Sequence, residues 1–299
     1  MTNQHIRRGG LITPQELAAR LDDPRLVVLD CTVTMITQPV GPSIIESGLP
    51  GFEANHIPGA QYAHLVDDLS APHAHMAYGL PTPERITALL RRLGVRQDST
   101  VVLYGWGYPA VVTRAFWVLD VMGVQDLWLL DSGLAGWREA GLPLETGPAK
   151  TRTAGDFTAR PDLSLLSEKQ DMLAGIDDPA VQLLNTLSRE QFLATGGAHY
   201  GRPGRIPNSL SLPFRDTFDV ASLRFHDRAA LEQLAKDAGV RFDRKVRIYC
   251  GGGIAASGGY FVLRLLGHPD ISLYDGSLTE WSNDPELPMV TGEEPASSK

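Results

Sequence analysis

The segment Ile248-Tyr249-Cys250-Gly251-Gly252-Gly253-Ile254-Ala255-Ala256-Ser257 joins a strand-like run to a helix-like one through a thiol and three glycines. Val246 to Tyr249 is short and mostly apolar, the pattern of a buried strand, and Tyr260 to Leu266 has the pattern of an apolar helix. Glycine tolerates backbone angles that other residues avoid, so the loop can curl until successive N–H groups point at the sulfur. The helix start adds partial positive charge at the same place. Such a cradle lowers a thiol pKa from its free value of roughly 8.5 and favours a nucleophilic thiolate. Cys250, Gly251, Gly252, Gly253, Ile254 and Ala255 are therefore the candidate catalytic loop. The competing reading, a structural Cys at a strand end, does not account for three consecutive glycines.

Working outward from this loop, the chain repeats itself. Val101-Val102-Leu103-Tyr104 answers Val246-Arg247-Ile248-Tyr249, and Leu93-Gly94-Val95 answers Ala238-Gly239-Val240. Asp131-Ser132-Gly133 with Trp137 answers Asp275-Gly276-Ser277 with Trp281, and Leu142 to Gly147 answers Leu287 to Gly292. These offsets are 144 or 145 residues. Upstream, His56-Ile57-Pro58-Gly59-Ala60 answers Arg205-Ile206-Pro207-Asn208-Ser209 at an offset of 149, so a small insertion lies between landmarks in the second half. Stacked repeats have periods of roughly 20–50 residues; a period this long means two whole domains.

Each copy alternates short apolar strands with helical patterns. In the first, Leu26–Asp30, Val101–Tyr104 and 127–130 are strand-like, while 82–93 and 111–122 are helical. The second starts with the strand-like 181–184 and carries a helix over 231–238. The expected fold is α/β: two tandem domains, each a mainly parallel sheet covered by helices on both faces. Sites in such sheets form at the carboxyl ends of strands, where Cys250 stands. The expected boundaries are 11–147, a linker over 148–160 that lacks apolar periodicity, and 161–292.

Composition agrees with two domains in 299 residues. The net charge of −8, from 27 basic and 35 acidic residues, comes with no stripe of Lys or Arg, so nucleic acid is not an expected partner. No apolar run is long enough to span a membrane, and the first twenty residues lack a signal-peptide core. Two cysteines, Cys31 and Cys250, make no disulfide framework, and a reactive thiol suits a reducing cytoplasm. The copies differ at the loop: Tyr104 is followed by Gly105-Trp106-Gly107-Tyr108, with no nucleophile. Cys31 follows a different strand and is read as structural. The first copy is expected to be a catalytically inactive partner that shapes the cleft.

Together these features resemble the tandem-domain rhodanese sulfurtransferases over residues 11 to 292: the Cys loop in the second copy, a Trp landmark near each copy's end, and an Ile-Pro-Gly-Ala-like turn in each. The resemblance implies that Cys250 takes sulfane sulfur from a small anionic donor as a persulfide. It then passes the sulfur to a thiophilic acceptor, either cyanide, a thiol or a thioredoxin-like protein. A thiolate attacking sulfur, a covalent intermediate and a cradle for its charge fit that chemistry, with no cofactor or metal. Two donors stay open, thiosulfate and 3-mercaptopyruvate. The loop lacks the basic residues that accompany thiosulfate in the family. It also has Gly252 where the mercaptopyruvate enzymes place a Ser linked to proton transfer. Gln191 stands where the family has an Arg.

An anionic donor still needs a cation, and Arg202 and Arg205 are the candidates, since a guanidinium suits a carboxylate or thiosulfonate. The resemblance also points to a first-copy segment, 66–76, that reaches across the cleft. His75 matches a family His there, and Asp67 or Asp68 a family Asp. Two rival functions use the same loop. A persulfide carrier for a protein partner is separated from the enzyme only by turnover. A Cys-dependent phosphatase or arsenate reductase needs an Arg six residues past the Cys, and position 256 is Ala.

Overall fold

The computed structural model describes residues 8–36, 38, 43–73 and 76–293. Two five-stranded, all-parallel sheets carry the two halves. In the first, the strands lie in the order Arg8–Ile12, Asp126–Leu130, Thr100–Tyr104, Leu26–Asp30, Gln61–Tyr62. In the second, the order is Leu166–Ser167, Ile271–Tyr274, Lys245–Tyr249, Val181–Asn185, Ser209–Ser211. The repeat is thus a repeat of topology. Leu26–Asp30 and Thr100–Tyr104 are buried throughout, which is why they read as unbroken apolar runs and not as alternating ones.

Equivalent residues make equivalent bonds. Tyr104 and Tyr249 end the strands that precede the two loops, and each hydroxyl accepts a backbone N–H from the Ile-Pro turn of its copy: Ile57 at 3.3 Å, Ile206 at 3.1 Å. Trp137 and Trp281 donate to the carbonyls of Pro143 and Pro288 at 2.8 and 2.9 Å. The landmark residues are therefore internal struts of each copy.

The two halves meet through the helices Ala110–Val121 and Ile254–Leu265, each of which starts after its copy's loop. Thr113 and Ser257, an equivalent pair, approach to 3.0 Å between hydroxyls, and Phe116 packs edge-on to Phe261 at 4.9 Å. Tyr260 donates to the buried Asp120 at 2.7 Å, and Arg264 pairs with the same carboxylate at 2.9 Å. The strap after residue 146 has no regular structure. It lies on the first copy by backbone bonds such as Arg160 N–H to Met122 C=O at 3.0 Å, and it buries Phe157.

One departure from the sequence reading has a clear cause. The helix after the Cys loop starts at Ile254, not near Tyr260. Gly258 and Gly259 hide it in sequence because glycine weakens helices. They are there for close packing: a side chain at Gly258 would run into the Phe214 ring, and one at Gly259 would meet Thr186. The strand Ser209–Ser211 gives way to a short 3-10 helix, Phe214–Thr217, after Pro213 removes a backbone donor. The first copy also carries two antiparallel hairpins, Val33–Ile36 with Ile44–Ser47 and Ala71–His73 with Met76–Gly79. No helix among the described residues is long and apolar enough to cross a membrane.

Candidate active site

Cys250 stands at the carboxyl end of Lys245–Tyr249, 2 % exposed, and the three glycines turn the chain directly into the helix Ile254–Leu265. Gly253 takes φ +82°, in the left-handed region where glycine has no Cβ penalty. That turn aims its N–H at the Cys250 sulfur at 3.1 Å. The loop is held from below by the start of Ser277–Trp281. The Ser277 hydroxyl accepts the Cys250 N–H at 3.1 Å, and Leu278 and Thr279 donate their N–H groups to the carbonyls of Cys250 and Gly251 at 3.1 and 2.8 Å. In the first copy, Leu134 donates to Gly105 at 2.9 Å. That bond matches the one from Leu278 to Cys250, so Gly105 occupies the position of Cys250.

Above the sulfur lies a cavity of about 470 Å³ whose lining comes from both copies. Tyr78, Tyr108 and Met35 belong to the first copy, and Tyr200, Gln191 and Arg215 to the second. Burial and the facing Cys250 charge push the phenols of Tyr78 and Tyr108 up to about 12, and Tyr200 higher still. All three are neutral hydroxyls at physiological pH. The Tyr200 ring covers Gly251 so closely that any side chain there would run into it.

A buried ion pair between the copies sits beneath the loop. Arg114 of the first copy, wholly buried, meets Asp275 of the second at 2.6 Å. Arg114 Nη1 and Asp275 Oδ1 lie off the line of a hydrogen bond, so this contact acts as charge on charge. The other Asp275 oxygen accepts the Leu80 N–H at 2.8 Å, and Arg114 Nη2 donates to the Tyr78 carbonyl at 2.7 Å. A side chain at Gly253 would lie 2.8 Å from Arg114 and 3.0 Å from Asp275. Loop, ion pair and the Tyr78 backbone thus form one packed unit.

The expected donor anchors need correction. Arg202 spends its guanidinium on the carbonyls of Ser282, Asp284 and Leu287 at 3.1, 2.6 and 2.9 Å. Arg205 is buried, donates to the carbonyls of Phe192 and Gly292 at 3.2 and 2.8 Å, and stacks 4.3 Å over the Phe192 ring. Both tie down backbone, and neither lines the Cys250 cavity. Asp68 also faces elsewhere: it accepts from Arg92 at 2.9 Å and from the His64 N–H at 3.0 Å, and its charge bears on Cys31. The Asp67 side chain is exposed beside His64, and neither Asp lines the cavity. His75 lies outside the described residues. Cys31 is fully buried, and burial together with Asp30 and Asp68 pushes its thiol well up, which suits a structural role.

Arg215 and the three tyrosines escaped the sequence reading. Arg215 follows the carboxyl end of Ser209–Ser211, where sites in parallel sheets form, and that rule could have found it. Tyr108 lies in the first copy's Gly105–Tyr108 loop and Tyr200 next to the Arg202 segment; both were in view without an assigned role. Tyr78, on a hairpin of the other copy, left no local signal.

The rhodanese-like domain profile matches residues 13–140 and 168–284. The chain is a member of the rhodanese family. A protein of Pseudomonas aeruginosa named "Probable 3-mercaptopyruvate sulfurtransferase" is 38 % identical over 289 residues, 95 % of this chain and 98 % of that one. "Thiosulfate sulfurtransferase YnjE" of Escherichia coli is 31 % identical over 264 residues, 82 % of this chain and 58 % of its own length. The crystal structure of SseA from Escherichia coli, described for the rhodanese fold and mechanism of 3-mercaptopyruvate sulfotransferases, superposes with a TM-score of 0.75 at 26 % identity. That match covers 89 % of this chain and 98 % of SseA. Like these relatives, the chain is a sulfurtransferase with two rhodanese domains and needs a sulfur donor and an acceptor.

Proposed function

We propose that the enzyme takes sulfur from 3-mercaptopyruvate as a persulfide on Cys250, with its Gly105 copy taking no part in the covalent step. The Cys250 thiolate attacks the donor sulfur, and the Gly253 N–H and loop backbone hold the charge on the adduct. The observation that carries the donor choice is the position of charge. The loop 251–255 bears no cation, while Arg215, off the loop, is the charged side chain of the cavity lining and makes no ion pair among the described residues. A donor whose carboxylate is separated from its sulfur by carbon atoms suits that arrangement. Thiosulfate, whose sulfonate is bonded directly to the transferred sulfur, suits it less and is the slower donor.

Cys250 is recessed, which favours a small acceptor such as cyanide or a low-molecular-weight thiol; a thioredoxin-like protein would have to present its Cys on a narrow loop. Thiol chemistry of this kind suits a reducing compartment, the cytoplasm. The test is kinetic. Hydrogen bonds to charged groups contribute about 1.5–3 kcal/mol, so Arg215→Ala should lower kcat/KM for 3-mercaptopyruvate by roughly 10- to 100-fold. An unchanged kcat/KM, or thiosulfate as the faster donor in the wild type, refutes the donor assignment.

A further inference from the structure

When a thiolate takes sulfur from 3-mercaptopyruvate, the C–S electron pair leaves on the three-carbon fragment as an enolate, a strong base that must be protonated. Sulfite leaving from thiosulfate is a stable anion and needs no such help. The two donors therefore differ in their demand for an acid near the loop. Residues 251–255 are Gly-Gly-Gly-Ile-Ala and carry no acidic proton on a side chain.

The two hydroxyls beneath the loop already donate elsewhere. Thr279 donates to the Gly251 carbonyl at 2.7 Å, and Ser277 donates to the Tyr274 carbonyl at 2.8 Å while accepting from Cys250. Tyr78 is different. A methyl group built on Gly252 would lie 3.4 Å from its hydroxyl oxygen, closer than to any other group. That oxygen makes no hydrogen bond to a described residue, and Tyr78 lines the cavity beside Cys250. Its backbone is fixed to the catalytic copy through Arg114, Asp275 and Leu80. Glycine at 252 leaves open the space into which this hydroxyl projects.

We propose that the Tyr78 hydroxyl, supplied by the first copy, protonates the pyruvate enolate as Cys250 takes the sulfur. This rests on the donor assignment above. The S–S bond to Cys250 forms as the C–S bond breaks, and the electron pair passes to the enolate. The Tyr78 proton goes to its carbon to give pyruvate. The S–H proton of the new persulfide returns to the phenolate, leaving Tyr78 neutral and Cys250 as the persulfide anion. No oxidant or reductant enters. Tyr78 carries its proton at neutral pH, because burial and the Cys250 charge hold the phenol in its protonated form.

The experiment compares Tyr78→Phe with wild type in single-turnover sulfuration of Cys250, read by mass spectrometry and by release of pyruvate or sulfite. The variant deletes one oxygen without a described hydrogen-bond partner, so thermal stability should be unchanged. General acid catalysis typically contributes 10²–10⁴-fold, and a loss of roughly that size is expected with 3-mercaptopyruvate. With thiosulfate, whose leaving group needs no acid, the rate should stay close to that of wild type. Tyr108→Phe, in the same cavity, should show no donor-selective loss. Equal losses with both donors, no loss with 3-mercaptopyruvate, or the selective loss in Tyr108→Phe would each overturn the proposal. If wild-type Cys250 gains no sulfur from 3-mercaptopyruvate, the donor assignment itself fails and this role falls with it.

Discussion

Arg114 and Asp275 offer the sharpest test of why a copy without a nucleophile is part of this enzyme. Their side chains are 0 % and 11 % exposed, and they meet at 2.6 Å across the boundary between copies. Removing one partner of a buried pair strands the other charge, at a cost of about 3–5 kcal/mol. Arg114→Met keeps the stem volume over Trp117, 4.5 Å away, while it strands the Asp275 carboxylate. Asp275→Asn preserves an acceptor for the Leu80 N–H and strands the guanidinium. Each single variant should lose about 3–5 kcal/mol in urea unfolding, and the double variant should lose far less than their sum. A coupling of about 2 kcal/mol or more is expected, within the range for groups in direct contact. Activity should not recover with stability. Without the guanidinium, the Tyr78 carbonyl loses its 2.7 Å donor, and displacements of about 1 Å near reacting atoms can cost 10²-fold. The double variant should therefore be stable yet slow. Additive single effects, with coupling below about 0.5 kcal/mol, would refute the ion pair as a clamp.

Two further outcomes follow from burial and charge. Mass spectrometry after donor treatment should find added sulfur on Cys250 alone, and Cys31→Ala should retain sulfur transfer while Cys250→Ala loses it; an adduct on Cys31 would contradict its burial beside Asp30 and Asp68. Alkaline unfolding should report the buried phenols: Tyr78 and Tyr249 rise from 10 to about 12 in the fold, so the folded chain keeps protons that the unfolded chain has released. Their contribution is complete below pH 10 and is lost as pH rises towards about 12, at about 1.4 kcal/mol per pH unit for each group. Stability that stays level across this window would contradict the burial of both rings.

The fold was legible because its information is local and is stated twice. A buried strand such as Thr100–Tyr104 shows itself as an apolar run, and Thr82 with Pro83 marks a helix start, since the Thr82 hydroxyl caps the Arg85 N–H at 3.3 Å. The duplicated Trp and Ile-Pro landmarks could be matched by eye because each makes a bond inside its own copy. The Cys250 loop was legible for a similar reason: thiol, turn and helix start are contiguous in the chain.

Arg202 and Arg205 show where such reading stops. A guanidinium in a loop before a strand looks the same in sequence whether it grips a donor or ties down three backbone carbonyls. Only the positions of residues some 80 further along decide between these, and for Arg202 they supply Ser282, Asp284 and Leu287. The groups that do face the sulfur have the opposite problem. Tyr78 and Tyr108 stand more than 140 residues before Cys250 and reach it because the helices Ala110–Val121 and Ile254–Leu265 pack against each other. Duplication made this possible at little cost. Two similar copies meeting through equivalent helices place the loop of one beside the other's Arg114, and from there beside the hairpin bearing Tyr78. The first copy's loop has Gly105 at the position of Cys250, and its Tyr108 forms wall for the other copy's cavity. The arrangement of Cys250 loop and cleft wall therefore lies in the docking of the copies, which is why neither half's sequence displays it alone.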